Sequence, residues 1–115
     1  MHELSIAISI VELAGEEAEQ RGGCTIHAVH LKLGPLAGVV KHALLASYEL
    51  ACEGTALKNS RLIIEETPIV GYCPQCQGER TLPSMQNLTC PQCGAPVSEI
   101  VKGRELEVVA LEIQT

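Results

Sequence analysis

Four of the six cysteines form two closely spaced pairs in the second half of the chain. The pairs are Cys73 with Cys76 and Cys90 with Cys93, each with two residues between its cysteines. Because a Cys-x2-Cys turn directs two thiolates to one point, two such turns can close on one tetrahedral ion, most commonly zinc. A closed four-thiolate shell leaves no ligand position open for catalysis, so the spacing predicts a structural zinc site.

Two other interpretations of the cysteine pairs stay open. A redox Cys-x2-Cys pair needs a thiol of low pKa near a helix start, whereas these pairs lie in a segment rich in turn residues. A nucleic-acid-binding ribbon needs a basic or aromatic surface. The charges of residues 71–102 sum to zero, from Glu79, Arg80, Glu99 and Lys102.

The second group with metal chemistry is the chain start, Met1-His2-Glu3. His2 can offer its imidazole nitrogen and its own main-chain nitrogen, the α-amine of Met1 adds a second chelate ring, and the main-chain nitrogen of Glu3 is next in line. Such nitrogens suit square-planar or tetragonal Ni(II) or Cu(II). Because the metal must displace protons from them, binding should weaken as the pH falls. The competing interpretation is a solvated, frayed terminus.

Composition narrows the class of protein. The chain has 115 residues and a formal net charge of −6, with 46% hydrophobic residues but only 2% aromatic ones. A chain of this size with few aromatic side chains gains from a metal staple. Its negative charge disfavours nucleic acid as a partner. Neither a signal peptide nor an apolar run of membrane-spanning length is evident, so we expect a cytoplasmic protein that does not enter a membrane.

Hydrophobic periodicity predicts the elements that must position these groups. Residues 4–20 have the pattern of an amphipathic helix, with Leu4, Ile8, Val11 and Ala18 on the apolar side. A strand is predicted over residues 25–33, with His27 and His30 on opposite faces. The remaining predicted elements are a helix over 39–53 and strands over 61–67 and 106–113, the last with a slip in alternation at Val108 and Val109.

This order predicts an α+β fold of two helices on a small three-stranded sheet, with an inserted four-cysteine zinc ribbon. The domain boundaries expected are residues 1–70 with 103–115 for the α/β domain and 71–102 for the ribbon. The last strand has to return to the first sheet across this insertion. A monomer or a weak or domain-swapped homodimer would satisfy the pattern.

The chain resembles the HypA/HybF family of hydrogenase nickel-incorporation proteins. The resemblance begins at Met1-His2-Glu3-Leu4-Ser5, includes the strand ending in Leu31-Lys32-Leu33-Gly34 and Tyr48-Glu49 in the second helix, and continues through the cysteine pairs to the strand from Leu106 to Ile113. It covers essentially the whole chain. The combination of the N-terminus with the cysteine ribbon is specific, although neither motif is specific alone.

The resemblance implies a nickel metallochaperone that has no enzyme activity of its own. It implies delivery of Ni(II) to a [NiFe]-hydrogenase large-subunit precursor, a HypB-type GTPase as partner, and in some organisms a role in urease maturation. His2 is the implied nickel ligand, with main-chain nitrogens nearby, and the four paired cysteines are the implied zinc ligands. The chain has no Walker loop, so nucleotide energy would have to come from the partner.

The sequence departs from the family where some members carry an acidic residue before the second helix, since Gly38-Val39-Val40 offers no carboxylate. We expect Glu3 to be a first-turn helix residue stabilised by the helix dipole rather than a carboxylate ligand. Cys24 and Cys52 are predicted to have no metal role. A different class of function, a zinc-ribbon adaptor that binds another protein without delivering nickel, is the alternative hypothesis.

Overall fold

A computed structural model describes residues 2–114 of the chain. Its elements, in chain order, are α1 (Glu3–Gln20), β1 (Thr25–Leu33), a short 3-10 helix (Pro35–Ala37), α2 (Lys41–Cys52), β2 (Arg61–Glu66), β3 (Val70–Cys73), β4 (Gly78–Thr81), β5 (Glu99–Lys102) and β6 (Leu106–Gln114). Among the described residues, neither α-helix combines the length and the apolar character needed to cross a membrane. The strands form two three-stranded sheets, ordered β2-β1-β6 and β4-β3-β5. The predicted α+β fold with a cysteine-bearing insert is confirmed.

In the first sheet, the central strand is β1, which comes first in the chain. Helix α2 connects β1 to β2. The main-chain N–H of Thr67, directly after β2, donates to the carbonyl of Leu33, the last residue of β1, so the carboxyl ends of the two strands meet and the strands run parallel. This β-α-β order is the common way to join parallel neighbours. Strand β6 returns to the other side of β1, as predicted for the last strand.

The two helices and the first sheet enclose the main hydrophobic core. Helix α1 contributes Ala7, Ile10, Val11, Ala14 and Ala18, while α2 contributes Leu44, Tyr48 and Cys52. The predicted apolar side of α1 was wrong in part, because Leu4 and Ile8 are 47% and 43% exposed. Small alanines, which the pattern underweighted, face the core and allow the close approach of α1 to its neighbours.

The inward side of β1 changes phase within the strand. Ile26 and Val29 both belong to the core although they are three residues apart, and Leu31 then continues the new phase. Strict alternation would place two residues at that spacing on opposite faces. The prediction that His27 and His30 lie on opposite faces is therefore wrong, since both imidazoles point away from the core.

Strand β6 confirms that shared outer face. His27 Nε2 lies 2.7 Å from Gln114 Oε1 and His30 Nε2 lies 2.6 Å from Glu112 Oε2. Gln114 and Glu112 are two residues apart on β6, so they project from one side of the sheet. In β6 itself the core-facing residues are Val108, Leu111 and Ile113, while the Val109 side chain is 47% exposed. The predicted slip in the alternation of this strand thus falls between residues 108 and 111.

The second sheet is short and antiparallel. Strand β3 pairs with β4 from Val70 opposite Thr81 to Cys73 opposite Gly78, and with β5 on its other side. Gly71 is required in β3 because an added Cβ would lie 2.9 Å from Val97 Cγ2. This close approach brings Val97 against the sheet.

By its internal contacts the chain divides into two compact units. Within the described residues, the first consists of residues 2–31, 39–65 and 107–114, and the second consists of Lys32–Gly38 and Glu66–Leu106. The first contains both α-helices, and the second contains the whole β4-β3-β5 sheet. The domain boundaries expected from sequence, with a ribbon over 71–102, stay a prediction.

Candidate metal centre and chain start

Two similar turns position the cysteine side chains. Cys73 ends β3 and the first turn leads into β4, while the second turn follows Cys90. In each turn the residue after the second cysteine has a left-handed backbone, with φ of 56° at Gln77 and 78° at Gly94. The second turn is also held by a 2.9 Å hydrogen bond from the N–H of Gly94 to the carbonyl of Cys90. The repeated Cys-Pro-Gln-Cys sequence therefore yields the same local fold twice.

The four sulfur atoms converge. All lie within 4.8 Å of one another, with Cys73 Sγ 3.5 Å from Cys93 Sγ and Cys76 Sγ 3.9 Å from Cys90 Sγ. Four thiolates at about 2.3 Å from a zinc ion stand about 3.8 Å apart along the edges of the tetrahedron. A disulfide would require about 2.05 Å between sulfurs, so the measured distances fit an ion and not a covalent bond.

Charge in the cluster also calls for a cation. The hydrogen bond with the Cys93 thiol, aided by burial, raises the pKa of Cys76 to about 12. The main-chain N–H of Cys93 lowers the pKa of Cys90 to about 6. These opposite shifts accompany the close approach of the four sulfurs, because adjacent thiolates repel each other. A divalent ion removes that repulsion, so the donor set fits structural zinc.

The start of α1 presents the second predicted site. His2 is the N-cap of the helix, with φ −142° and ψ 31°, and its side chain is exposed. Within residues 2–114 no hydrogen bond engages the His2 ring, while its carbonyl accepts from Ser5 Oγ at 2.9 Å and from the N–H of Ile6 at 3.1 Å. Met1, the other part of this prediction, lies outside the described residues.

Glu3 has a role that its position in the first turn of a helix does not predict. Its side chain is only 4% exposed, and one carboxylate oxygen accepts a 3.0 Å hydrogen bond from the N–H of Val40, the N-cap of α2. This bond is the main reason that the pKa of Glu3 is lowered. The other oxygen, Oε1, is buried and has no hydrogen-bond partner among the described residues. The expected first-turn position is correct, but the carboxylate also joins the starts of both helices.

The remaining titratable candidates do not converge on an ion. Among the described residues, the paired cysteines are the one group of three or more histidine, cysteine or acidic side chains close enough to share a metal. Cys24 is half-buried and Cys52 is buried beside Ser60. His42 is exposed at the start of α2.

Comparison with known proteins agrees with this arrangement. A family model described as "Hydrogenase/urease nickel incorporation, metallochaperone, hypA" matches residues 1–113. The chain belongs to the HypA family. The resemblance noted in the sequence is therefore confirmed, and it extends over both the N-terminus and the cysteine pairs.

Two relatives named as hydrogenase maturation factor HypA show how far the similarity extends along the chain. The chain is 53% identical to a hydrogenase maturation factor HypA of Chloroflexus aggregans over 112 residues, which cover 97% of this chain and 98% of the relative. It is 38% identical to a HypA of Streptomyces avermitilis over 112 residues, covering 96% of this chain and 86% of the relative. The match with the HypA family thus spans nearly the full length of its members.

Solved HypA structures share the fold. The solution structure of the nickel metallochaperone HypA from Helicobacter pylori has a TM-score of 0.67 and 23% identity, covering 98% of this chain and 97% of that one. A second solution structure of a HypA protein has a TM-score of 0.73 and 23% identity, covering 99% and 97%. At this identity the likeness establishes the architecture alone.

Proposed function

We propose that this HypA chain carries Ni(II) on its N-terminus and delivers it during maturation of a [NiFe]-hydrogenase. The proposed ligands are the His2 imidazole and main-chain nitrogens of Met1, His2 and Glu3. The observation that carries the proposal is the His2 ring, which is exposed, stands outside the helix and makes no internal hydrogen bond within residues 2–114. An imidazole that was hydrogen-bonded to the rest of the fold would have to break that hydrogen bond before it could bind a metal.

Membership of a nickel-incorporation family supports the cargo, and the names of the relatives support hydrogenase as the client. The family description also includes urease, so urease maturation is a second proposed use of the same cargo. The chain acts as a carrier and not as a catalyst. Because it lacks a Walker loop, we propose a HypB-type GTPase and the hydrogenase large-subunit precursor as its partners, in the cytoplasm.

The ligand assignment is tested by titrating Ni(II) into zinc-loaded protein. His2→Ala and a variant with one extra residue before Met1 should each weaken nickel binding at least about a hundredfold, about 2.7 kcal/mol. The extension keeps the His2 ring but moves the terminal amine one residue away from it. This variant therefore tests the contribution of the amine separately from that of the imidazole. His27→Ala is the matched control, because it removes an exposed imidazole from another part of the chain.

Undiminished nickel binding in both N-terminal variants would refute the ligand assignment. The role in the cell has its own measurement, hydrogenase activity in a strain that carries His2→Ala at its natural locus. Activity equal to wild type would favour the alternative in which the zinc ribbon serves as a protein adaptor. Transfer of nickel from wild-type protein to the purified GTPase or to the precursor would identify the receiving partner.

A further inference from the structure

We infer that Ser5 is a positioning residue for nickel, because its hydroxyl fixes the peptide unit that joins His2 to Glu3. The inference rests on the proposed function, in which that peptide supplies a ligand nitrogen. It concerns a residue that contributes no ligand atom itself. The Ser5 side chain is exposed, so neither burial nor core packing explains its orientation.

The first contact that holds this peptide is on its oxygen. Ser5 Oγ donates to the His2 carbonyl at 2.9 Å, and the N–H of Ile6 donates to the same oxygen at 3.1 Å. The Ile6 bond belongs to the ordinary helix pattern, whereas the Ser5 bond is an additional one that requires a hydroxyl-bearing side chain at this position. The His2 carbonyl oxygen therefore accepts two hydrogen bonds from the first turn of α1.

The second contact is on the following side chain. The Glu3 carboxylate is buried and bonded to the N–H of Val40 at 3.0 Å. Because the peptide is planar, holding its oxygen at one end and the next side chain at the other fixes the Glu3 main-chain nitrogen between them. A ligand nitrogen that is held in place before nickel arrives lowers the entropic cost of binding.

The Ser5 hydroxyl also faces the charge that binding creates. When nickel takes the place of the proton on the Glu3 main-chain nitrogen, that proton leaves to solvent and the negative charge is shared with the His2 carbonyl oxygen. The two donors already aimed at this oxygen become charge-assisted, so they stabilise the bound form more than the free form. This difference makes the hydroxyl matter for affinity and not only for geometry.

The test compares Ser5→Ala with Ser5→Thr in zinc-loaded protein, with Ser9→Ala as a control on an exposed serine of the same helix. Ser5→Ala should release nickel about tenfold faster and shift the visible absorption of the nickel complex, while Ser5→Thr restores both. The denaturation midpoint of zinc-loaded, nickel-free Ser5→Ala should equal or exceed that of wild type in the same state, because alanine is the better helix former. Faster nickel release together with an undiminished denaturation midpoint would show that Ser5 positions the ligand and is not needed for folding.

Wild-type nickel kinetics in Ser5→Ala, or a Ser5→Thr variant as weak as Ser5→Ala, would overturn the inference. His2→Ala is measured in parallel, so that failure of the inference about Ser5 can be distinguished from failure of the proposed function. If His2→Ala loses nickel and Ser5→Ala does not, the positioning role alone fails. If His2→Ala binds nickel normally, the N-terminal chelate fails and the role of Ser5 fails with it.

Discussion

Loss of zinc should unfold the β4-β3-β5 sheet while the helical core stays folded. Between residues 70 and 102, all of them described, the buried hydrophobic side chains are Cys73, Leu82 and Cys90. One buried leucine contributes about 1.5–3 kcal/mol, whereas ordering costs about 1–2 kcal/mol for each backbone residue fixed. Strands of four residues therefore depend on the ion, since structural zinc contributes about 10–16 kcal/mol in small domains.

The perturbation is chelation of the metal or the substitution Cys90→Ala, which removes a ligand that is 1% exposed. We expect amide hydrogen exchange in β3, β4 and β5 to accelerate at least about a thousandfold, equivalent to about 4 kcal/mol of local stability. Amides in the centre of α1 should keep their protection. Cys24→Ser is the control, because that thiol lies outside the sulfur cluster.

Persistent protection of β3 to β5 in the metal-free protein would refute this reasoning. Strand pairing and the single buried leucine would then hold the sheet without an ion. A uniform loss of protection that included α1 would also count against it, because the core of α1 and α2 has its own buried apolar residues and should not need the metal.

Three further substitutions probe the remainder of the fold. The Glu105 pKa is held below its ordinary value of 4.5, chiefly by the Thr67 hydroxyl, so its contribution to stability is complete above that value and is lost as the pH falls through the folded-state pKa. Glu105→Gln should therefore flatten the dependence of stability on pH below pH 4.5, as measured by chemical denaturation. Gly34→Ala should cost at least about 3 kcal/mol in the same assay, because the new Cβ would lie 2.2 Å from the Gly103 carbonyl oxygen. Gly15→Ala should instead stabilise by about 0.5–1 kcal/mol, since the site is helical and its nearest neighbour is 3.9 Å away; equal effects of the two glycine changes would contradict the packing argument.

The sequence predicted the elements well because their signals are local. The β1 boundaries at Thr25 and Leu33 agree with the alternation and the turn residues that follow, and α2 begins at Lys41 within two residues of its predicted start. The cysteine cluster was equally predictable from the sequence, since the spacing of the ligands itself determines the turn geometry.

The errors arose where tertiary packing decides the outcome. The phase change in β1 places His27 and His30 on one face, and strict two-residue periodicity has no means of signalling it. The Glu3 bond to Val40 joins positions far apart in sequence, so helix-terminus rules suggested a dipole effect where the structure shows a partner. The buried carboxylate would have been found from sequence only with knowledge of how the two helices meet.

The cysteine cluster and the proposed nickel ligands differ in exposure, as expected for one site that keeps its ion and another that releases it. Cys73 and Cys90 are 0% and 1% exposed, and main-chain hydrogen bonds hold the turn after Cys90, so two of the four zinc ligands are fixed inside the fold. The His2 ring is exposed and outside the helix, so under the proposed function a nickel ion there can leave without unfolding anything. Such a site needs another source of affinity, and prior ordering of the His2–Glu3 peptide by Ser5 supplies it while the path for exchange stays open.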